Sequence, residues 1–527
     1  MFCGYGAAMN RAQLIGMLLV GAALVSGGTA AQSVPATGST GDVASTGPVP
    51  EQAHALKLLE GAEARARGMQ DPATRSLFLW QIGTAYASSD QKRASALLRD
   101  AFKQTLSLPP GQGSWTERGQ LQGWILRTLL MVDESQAVEL AGQADAAARH
   151  DLLVARIGRE KDIARQMQLV QQAGKSPDFP YEAVIELMRM YPAKRPAIFA
   201  AAEASYLLEK APSEGGQYED LSTYVVRYWA SLPRNDVLTA MDQILAKAKS
   251  DTRVYCIGAG LPLGGAKTLI FDNAYQYRLF EFLPILEQLD SGKAQDLRKR
   301  EPAVKAPLSK YPKGLASFTD NSVELNGPLL DSLYITSNRA SATQYVKGQK
   351  MLWQALHQVA KRNSLAPIKG LPARFGGLYL RSEGLLWIAG FSVGWWGPHP
   401  SIDATHELID LLPGLPPLEA GRSAVKAAEI ADHWEDKAAA GKALNAGAVA
   451  ANALLQQERN EPGFRQKLPV FQPAAQIYFQ LVAFGSRFSR AWTEKMLEEI
   501  PDSDMRGLMT IVYARALLSQ HSDLHLN

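Results

Sequence analysis

The sequence predicts an all-α fold: an irregular α-solenoid, or superhelix of stacked helical hairpins, with few or no strands. Three observations predict it. Apolar residues recur at helical spacing from about residue 51 to the end of the chain. A short pattern repeats, in which an aliphatic helix meets a breaker and then Ala three residues before Leu. Strand-like runs are scarce, Thr252 to Ile257 and Gly377 to Leu380 being the two candidates.

The helical stripes are direct. Ala94, Leu97, Leu98, Ala101 and Phe102 fall at i, i+3, i+4, i+7 and i+8. So do Leu221, Tyr224, Val225, Tyr228 and Trp229. The same spacing runs from Ala474 to Val482 and from Met509 to Leu517. One apolar stripe at this period belongs to a helix packed on one side.

The breakers follow. Ile82 leads to Asp90, then Ala94 and Leu97. Leu126 leads to Asp133, Ala137 and Leu140; Phe282 leads to Asp290, Ala294 and Leu297. Ile185, Pro192, Pro196 and Phe199 form a degenerate copy. Asp is a good N-cap because its carboxylate accepts from free amides of the first helical turn. A small Ala lets paired helices approach closely. A lone hairpin cannot bury its stripe, so such units need stacked neighbours.

Leu79, Ile82, Gly83 and Tyr86 match the first helix of a tetratricopeptide repeat, and Ala94, Leu98 and Ala101 sit one residue early in the second. The chain thus resembles helical-repeat proteins, between tetratricopeptide and HEAT-like, over about one repeat. The resemblance implies binding of proteins or peptides on a concave face.

Arg11 is the one charge in the first 31 residues, followed by an apolar run from Leu14 to Val25 and then Gly27-Gly28-Thr29-Ala30-Ala31. This is the layout of a secretory signal peptide, residues 1–31. A retained anchor is the alternative, although the run is short against the ~20 apolar residues of an easy span. Cys3 precedes the apolar run, so it forms no lipoprotein box. Cleavage leaves Cys256 alone, in the apolar context Val254 to Ile257. A buried inert thiol is expected there. A secreted chain without disulfides points to a bacterial periplasm.

Residues 32–50 are a Ser, Thr, Gly and Pro linker expected to lack order. Residues 51–250 read as an N-terminal α-solenoid, 251–350 as mixed helical and irregular chain, and 351–527 as a C-terminal helical region. The formal net charge is +3 over 527 residues with both signs interspersed, which gives nucleic acid no basic stripe. The stretch from Lys293 to Lys310 is locally basic and reads as a solvated face or an anionic-surface patch.

Several motifs bear on chemistry. Gly390-Phe391-Ser392-Val393-Gly394 is a G-x-S-x-G pattern behind the apolar run Leu385 to Ala389. In α/β-hydrolases such a pattern is a strained strand-to-helix elbow exposing Ser, with Asp and His downstream. By order alone Asp502 and His521 or His525 are available. Trp395, Trp396, Gly397 and Pro398 follow where a helix should start, and the strands of a hydrolase sheet are missing. A small-residue helix crossing explains the pattern better. Gly260 to Thr268 is similar to a phosphate loop, but Ala266 puts Lys267 out of register. A plain loop before a helix from Tyr277 to Leu289 is expected. Asp403, His406 and Asp410 fall at i, i+3 and i+7 with His399 nearby, a set that could hold zinc or equally be exposed polar residues at a helix start. Gly507-Leu508-Met509 is similar to the Gly-Leu-Met of lytic transglycosylases over three residues, without that family's upstream Glu-Ser.

Adjacent Trp395 and Trp396, with His399, are the nominated binding residues, because neighbours on a helix sit ~100° apart and cannot share one stripe. The expectation is a secreted or periplasmic protein-binding or scaffolding module, without catalysis or cofactor. Its partner is a protein or cell-envelope component, not nucleic acid, and the mature chain has no transmembrane span. The alternative is an enzyme, either a serine hydrolase at Ser392 or an envelope glycan-acting protein.

Overall fold

A computed structural model describes residues 50–109, 117–177, 179–208, 220–261, 265–319, 333–371, 377–390, 398–461, 463–464 and 468–519. The fold is all-α: helix makes up 81% of the structure, with one three-stranded sheet among the described residues. In chain order, α1 (Pro50–Gly68), α2 (Pro72–Tyr86), α3 (Gln91–Leu106), α4 (Glu117–Val132), α5 (Glu134–Ala141) and α6 (Ala146–Arg159) come first. Next are α7 (Ile163–Ala173), α8 (Tyr181–Met190), α9 (Arg195–Leu208), α10 (Leu221–Tyr228) and α11 (Arg234–Ala248). Strands β1 (Val254–Leu261) and β2 (Gly265–Phe271) precede α12 (Ala274–Leu289), α13 (Ser291–Arg300), α14 (Lys305–Lys310), α15 (Leu315–Thr319) and β3 (Leu333–Thr336). Then come α16 (Arg339–Arg362), α17 (Ala366–Lys369), α18 (Gly377–Gly390) and α19 (Pro398–Leu411). The last helices are α20 (Pro417–His433), α21 (Lys437–Arg459), α22 (Pro473–Phe488), α23 (Arg490–Glu499) and α24 (Ser503–Ser519).

Many helices follow one another through a single extended residue, and two chemistries build that break. At Asp90, Asp133 and Asp290 the residue adopts φ/ψ of −145/81°, −154/90° and −151/89°. Its amide still donates four residues back, to the old helix at Asp133 and Asp290 and across the turn of residues 87–89 at Asp90, and its carboxylate accepts from the third residue of the new one. At Tyr191, Glu301 and Tyr311 the same backbone shape appears, at −123/73°, −126/79° and −127/80°. No side-chain cap serves Tyr191 or Glu301. Each of the three stands before a proline, Pro192, Pro302 or Pro312, whose ring bars the preceding residue from helical geometry.

Two compact units divide the chain: the described residues of Met1–Leu152 with Ile409–Asn527, and Leu153–Leu408. In the first unit α2 and α3 pack as a hairpin, with Ala94, Leu98 and Ala101 fully buried. A Cβ on Gly83 would come within 3.0 Å of Leu98 Cγ, so these helices are in close approach. Trp80 of α2 stacks on Trp124 of α4 at 5.0 Å and donates to Thr128 Oγ1 at 2.9 Å. The first and last described helices, α1 and α24, meet in this unit. Arg65 of α1 donates to the Ser503 carbonyl and to Asp504 Oδ1, both at 2.8 Å. Helices α20 and α21 pair along alanines, and Ile477 and Leu481 of α22 fill the spaces over Gly421 and Gly447.

In the second unit the core runs from Ile157 to Phe318 and is rich in aromatics, among them Phe179, Tyr181, Tyr224, Phe280 and Phe282. The sheet has strand order β2-β1-β3, all antiparallel. Alternate side chains point to opposite faces of a strand. Tyr255 and Ile257 therefore join the helical core, while Val254 and Cys256 join Ala342, Tyr345 and Val346 of α16. The strand expected over Thr252 to Ile257 thus exists, starting at Val254 and extending to Leu261. The other candidate, Gly377 to Leu380, is helix instead. Leu380, Leu385, Ile388 and Ala389 are buried at helical spacing, which sets the period of the longer run. Gly260 and Leu261 end β1 and Gly265 to Phe271 form β2, so the phosphate-loop-like stretch belongs to a strand pair rather than a plain loop.

Candidate functional site

A group of buried and half-buried charges lies in the second unit, where α10, α12 and the start of β1 converge. Asp220 caps α10: one carboxylate oxygen accepts from the Ser222 amide at 2.8 Å, within a capping box completed by Thr223. Its other oxygen accepts from Arg278 of α12. Arg278 also donates to the Ser222 hydroxyl and, at 2.7 Å, to Glu281 Oε2 one turn further along α12. Glu281 is 6% exposed. Tyr277, next to Arg278, stacks on Tyr255 of β1 with centroids 5.2 Å apart. The Tyr255 hydroxyl donates to Asp251 Oδ2 at 2.7 Å, and Arg253 grips both Asp251 oxygens, at 3.0 Å (Nε to Oδ1) and 2.7 Å (Nη2 to Oδ2).

The electrostatics follow from burial and pairing. Burial pushes the Glu281 carboxyl up, and the attraction of Arg278 offsets this only in part. Burial works to lower the Arg278 guanidinium, yet Asp220 and Glu281 hold it well above the ordinary arginine value. Burial also raises Asp251, but hydrogen bonds from Arg253 and Tyr255 outweigh it and the carboxyl sits below its usual range. Burial raises the Tyr255 and Tyr277 phenols, reinforced by the neighbouring carboxylates. The charged groups are partnered within the network, which ties two helices to the sheet. Perturbed groups cluster at functional sites and in structural ion networks alike, and the mutual pairing here is that of a structural network.

The residues nominated from the sequence fall elsewhere. Ser392, Trp395 and Trp396 lie outside the described residues. His399 belongs to the first turn of α19, and its side chain is likewise outside them. Asp403, His406 and Asp410 are exposed along α19, and among the described residues no three His, Cys, Asp or Glu side chains come together as a metal site would require. The apolar run before Ser392 is part of helix α18, whereas a nucleophile elbow follows a strand. Asp502 is engaged at the start of α24: it accepts from the amides of Asp504 and Met505 at 3.0 and 2.9 Å and from Arg459 at 3.0 Å. His521 and His525 are outside the described residues. Gly507 marks a close helix crossing, since a Cβ there would lie 2.9 Å from Phe78 Cε1. Cys256 is fully buried, and burial pushes its thiol up to about 12.

The Asp220–Arg278–Glu281 network was not among the sequence nominations. The Arg278–Glu281 spacing of three along a helix is a visible signal, but Asp220 is 58 residues away. No protein family, curated protein or solved structure matches the chain.

Proposed function

We propose that the chain is a helical binding or scaffolding protein of the bacterial envelope. It is exported after cleavage near Ala31, and its partner is another protein or an envelope component. The observation that carries the reading is a pair of leucines at the end of α9. Leu207 and Leu208 are 57% and 48% exposed, although Ala202, Ser205 and Tyr206 on the preceding turn are buried. The helix is anchored by one side and offers adjacent large apolar side chains on the other. Exposed apolar surface of this kind marks interaction sites when it is contiguous.

A photo-crosslinking amino acid at Leu207, introduced in the producing cell, tests the reading. The expected result is one discrete adduct that disappears when Leu208→Asp is added. Absence of any adduct, or an adduct indifferent to Leu208→Asp, would sink it. Trp395→Ala, Trp396→Ala and His399→Ala test the second location in the same assay. N-terminal sequencing of the exported protein tests the processing: a start at Met1 would mean a retained anchor.

A further inference from the structure

The segment from α13 to the end of α14 is a cationic outer face of the second unit. Residues 291–313 hold seven basic side chains and two acidic ones, against a net charge of +3 for the whole chain. The inner sides of these consecutive elements are apolar and enter one core: Ala294, Leu297, Val304, Leu308 and Tyr311. That burial turns the remaining positions outward. Lys293 pairs with Asp242, and Arg298 with Glu287. Lys299, Arg300, Lys305, Lys310 and Lys313 are exposed and make no ion pair among the described residues. Of the two carboxylates, Glu301 accepts from Gln276, which leaves Asp296 as the exposed one.

Neighbouring elements add to this charge. Lys267 of β2 and Lys310 both stand over the Tyr311 ring, at 5.9 and 5.3 Å from its centroid. Lys249 stands 5.4 Å over Tyr275, whose hydroxyl feels Glu301 and, to a lesser degree, Arg300. Two like charges are therefore gathered on the Tyr311 ring, where mutual repulsion opposes folding and an external anion would relieve it.

We propose that this face docks the second unit on a membrane surface of anionic phospholipid headgroups. Juxtaposed lysines and arginines bind such a surface without a shaped pocket, each contributing about a fivefold gain in partitioning. The proposal does not depend on the leucine pair of α9, and failure of either leaves the other standing.

The test is cosedimentation of the full chain with vesicles of phosphatidylcholine alone or with phosphatidylglycerol added. An apolar N-terminal segment would act on both kinds equally, so the ratio isolates charge. One variant carries Lys299→Gln, Arg300→Gln, Lys305→Gln and Lys310→Gln. A charge-matched control carries Lys57→Gln, Lys92→Gln, Arg99→Gln and Lys103→Gln on exposed positions of α1 and α3. Circular dichroism confirms that both fold. The wild type and the control should prefer anionic vesicles, salt should release them, and the first variant should lose at least about a hundredfold of that preference. Equal binding to both vesicles, or equal loss in the two variants, overturns the proposal.

Discussion

Arg93 donates its backbone amide to the Asp90 carboxylate at 2.9 Å. The same bond joins Gln136 to Asp133 at 3.1 Å and Lys293 to Asp290 at 2.9 Å. In all three the Asp amide also reaches back to close the previous helix, at 2.8, 2.6 and 2.6 Å. At Asp133 and Asp290 one residue thus ends one helix and begins another, while at Asp90 the turn of residues 87–89 intervenes. Asp90→Ala, Asp133→Ala and Asp290→Ala should each destabilise by about 1 kcal/mol, because the first-turn amide loses its acceptor. Asn at the same positions should recover most of it. Thermal denaturation followed by circular dichroism measures this, and an unchanged midpoint in all three Ala variants would mean that the preceding helix alone sets the break.

These three breaks were legible because the whole interaction is local: an Asp, an Ala four residues on, a Leu three beyond. The helical stripes were legible for the same reason. Of the strands, the first half of β1 was legible, from Val254 to Ile257, and β2 and β3 were not. Phe271 and Leu269 face the helical core while Ile270 faces α16, so β2 is covered on both sides and shows no alternation of apolar with polar. Strand β3 is four residues long, below what a pattern can signal. Gly377 to Leu380 misled in the opposite direction, since a four-residue apolar run takes its structure from the longer helix around it. The charge network depends on pairings such as Asp220 with Arg278, which only tertiary folding creates.

Arg278 holds two carboxylates that would otherwise face each other without a cation. Its side chain keeps 17% exposure and that of Glu281 keeps 5%. Arg278→Met should therefore destabilise by about 3–5 kcal/mol, since breaking a buried pair strands charge. Adding Glu281→Leu should recover part of the loss. Chemical denaturation checks both. A double variant less stable than Arg278→Met would show that Glu281 holds the fold by contacts other than this pair.

Gly314 has φ +59°, and a Cβ there would lie 2.4 Å from the Phe280 carbonyl oxygen of α12. Pro284, inside α12, has no amide to offer that carbonyl, so the helix is open where the chain at Gly314 presses against it. Gly314→Ala meets both a left-handed backbone and a backbone clash. It should destabilise by more than about 2 kcal/mol. Gly292→Ala, with no contact closer than 3.6 Å, is the control and should be nearly silent. Equal melting temperatures for the two variants would contradict the close approach.

Glu63 on α1 gives the pH dependence its sign. One oxygen accepts from Arg67 at 2.6 Å and the other from Arg93 at 2.7 Å, while Arg93 lies over the Tyr86 ring at 4.3 Å. Burial pushes the Glu63 carboxyl up, but the two arginines outweigh it and hold it below its ordinary value of 4.5. A carboxyl lowered by folding stabilises in full above its unfolded value and loses that contribution as pH falls through the folded one. Glu63→Gln should then destabilise by about 2 kcal/mol near neutral pH, the worth of hydrogen bonds to a charged group. The gap to the wild type should close as pH falls through the lowered folded value, where the wild-type carboxyl takes up its proton. Glu281, raised by burial, works in the opposite sense, so the wild-type curve alone mixes the two. The difference between wild type and Glu63→Gln separates them, because Glu281 is common to both. Denaturant unfolding from pH 7 down to about pH 3.5 gives that difference directly. Parallel stability curves across the window would show that folding leaves the Glu63 carboxyl at its unfolded value, and that the two arginines do not hold it down.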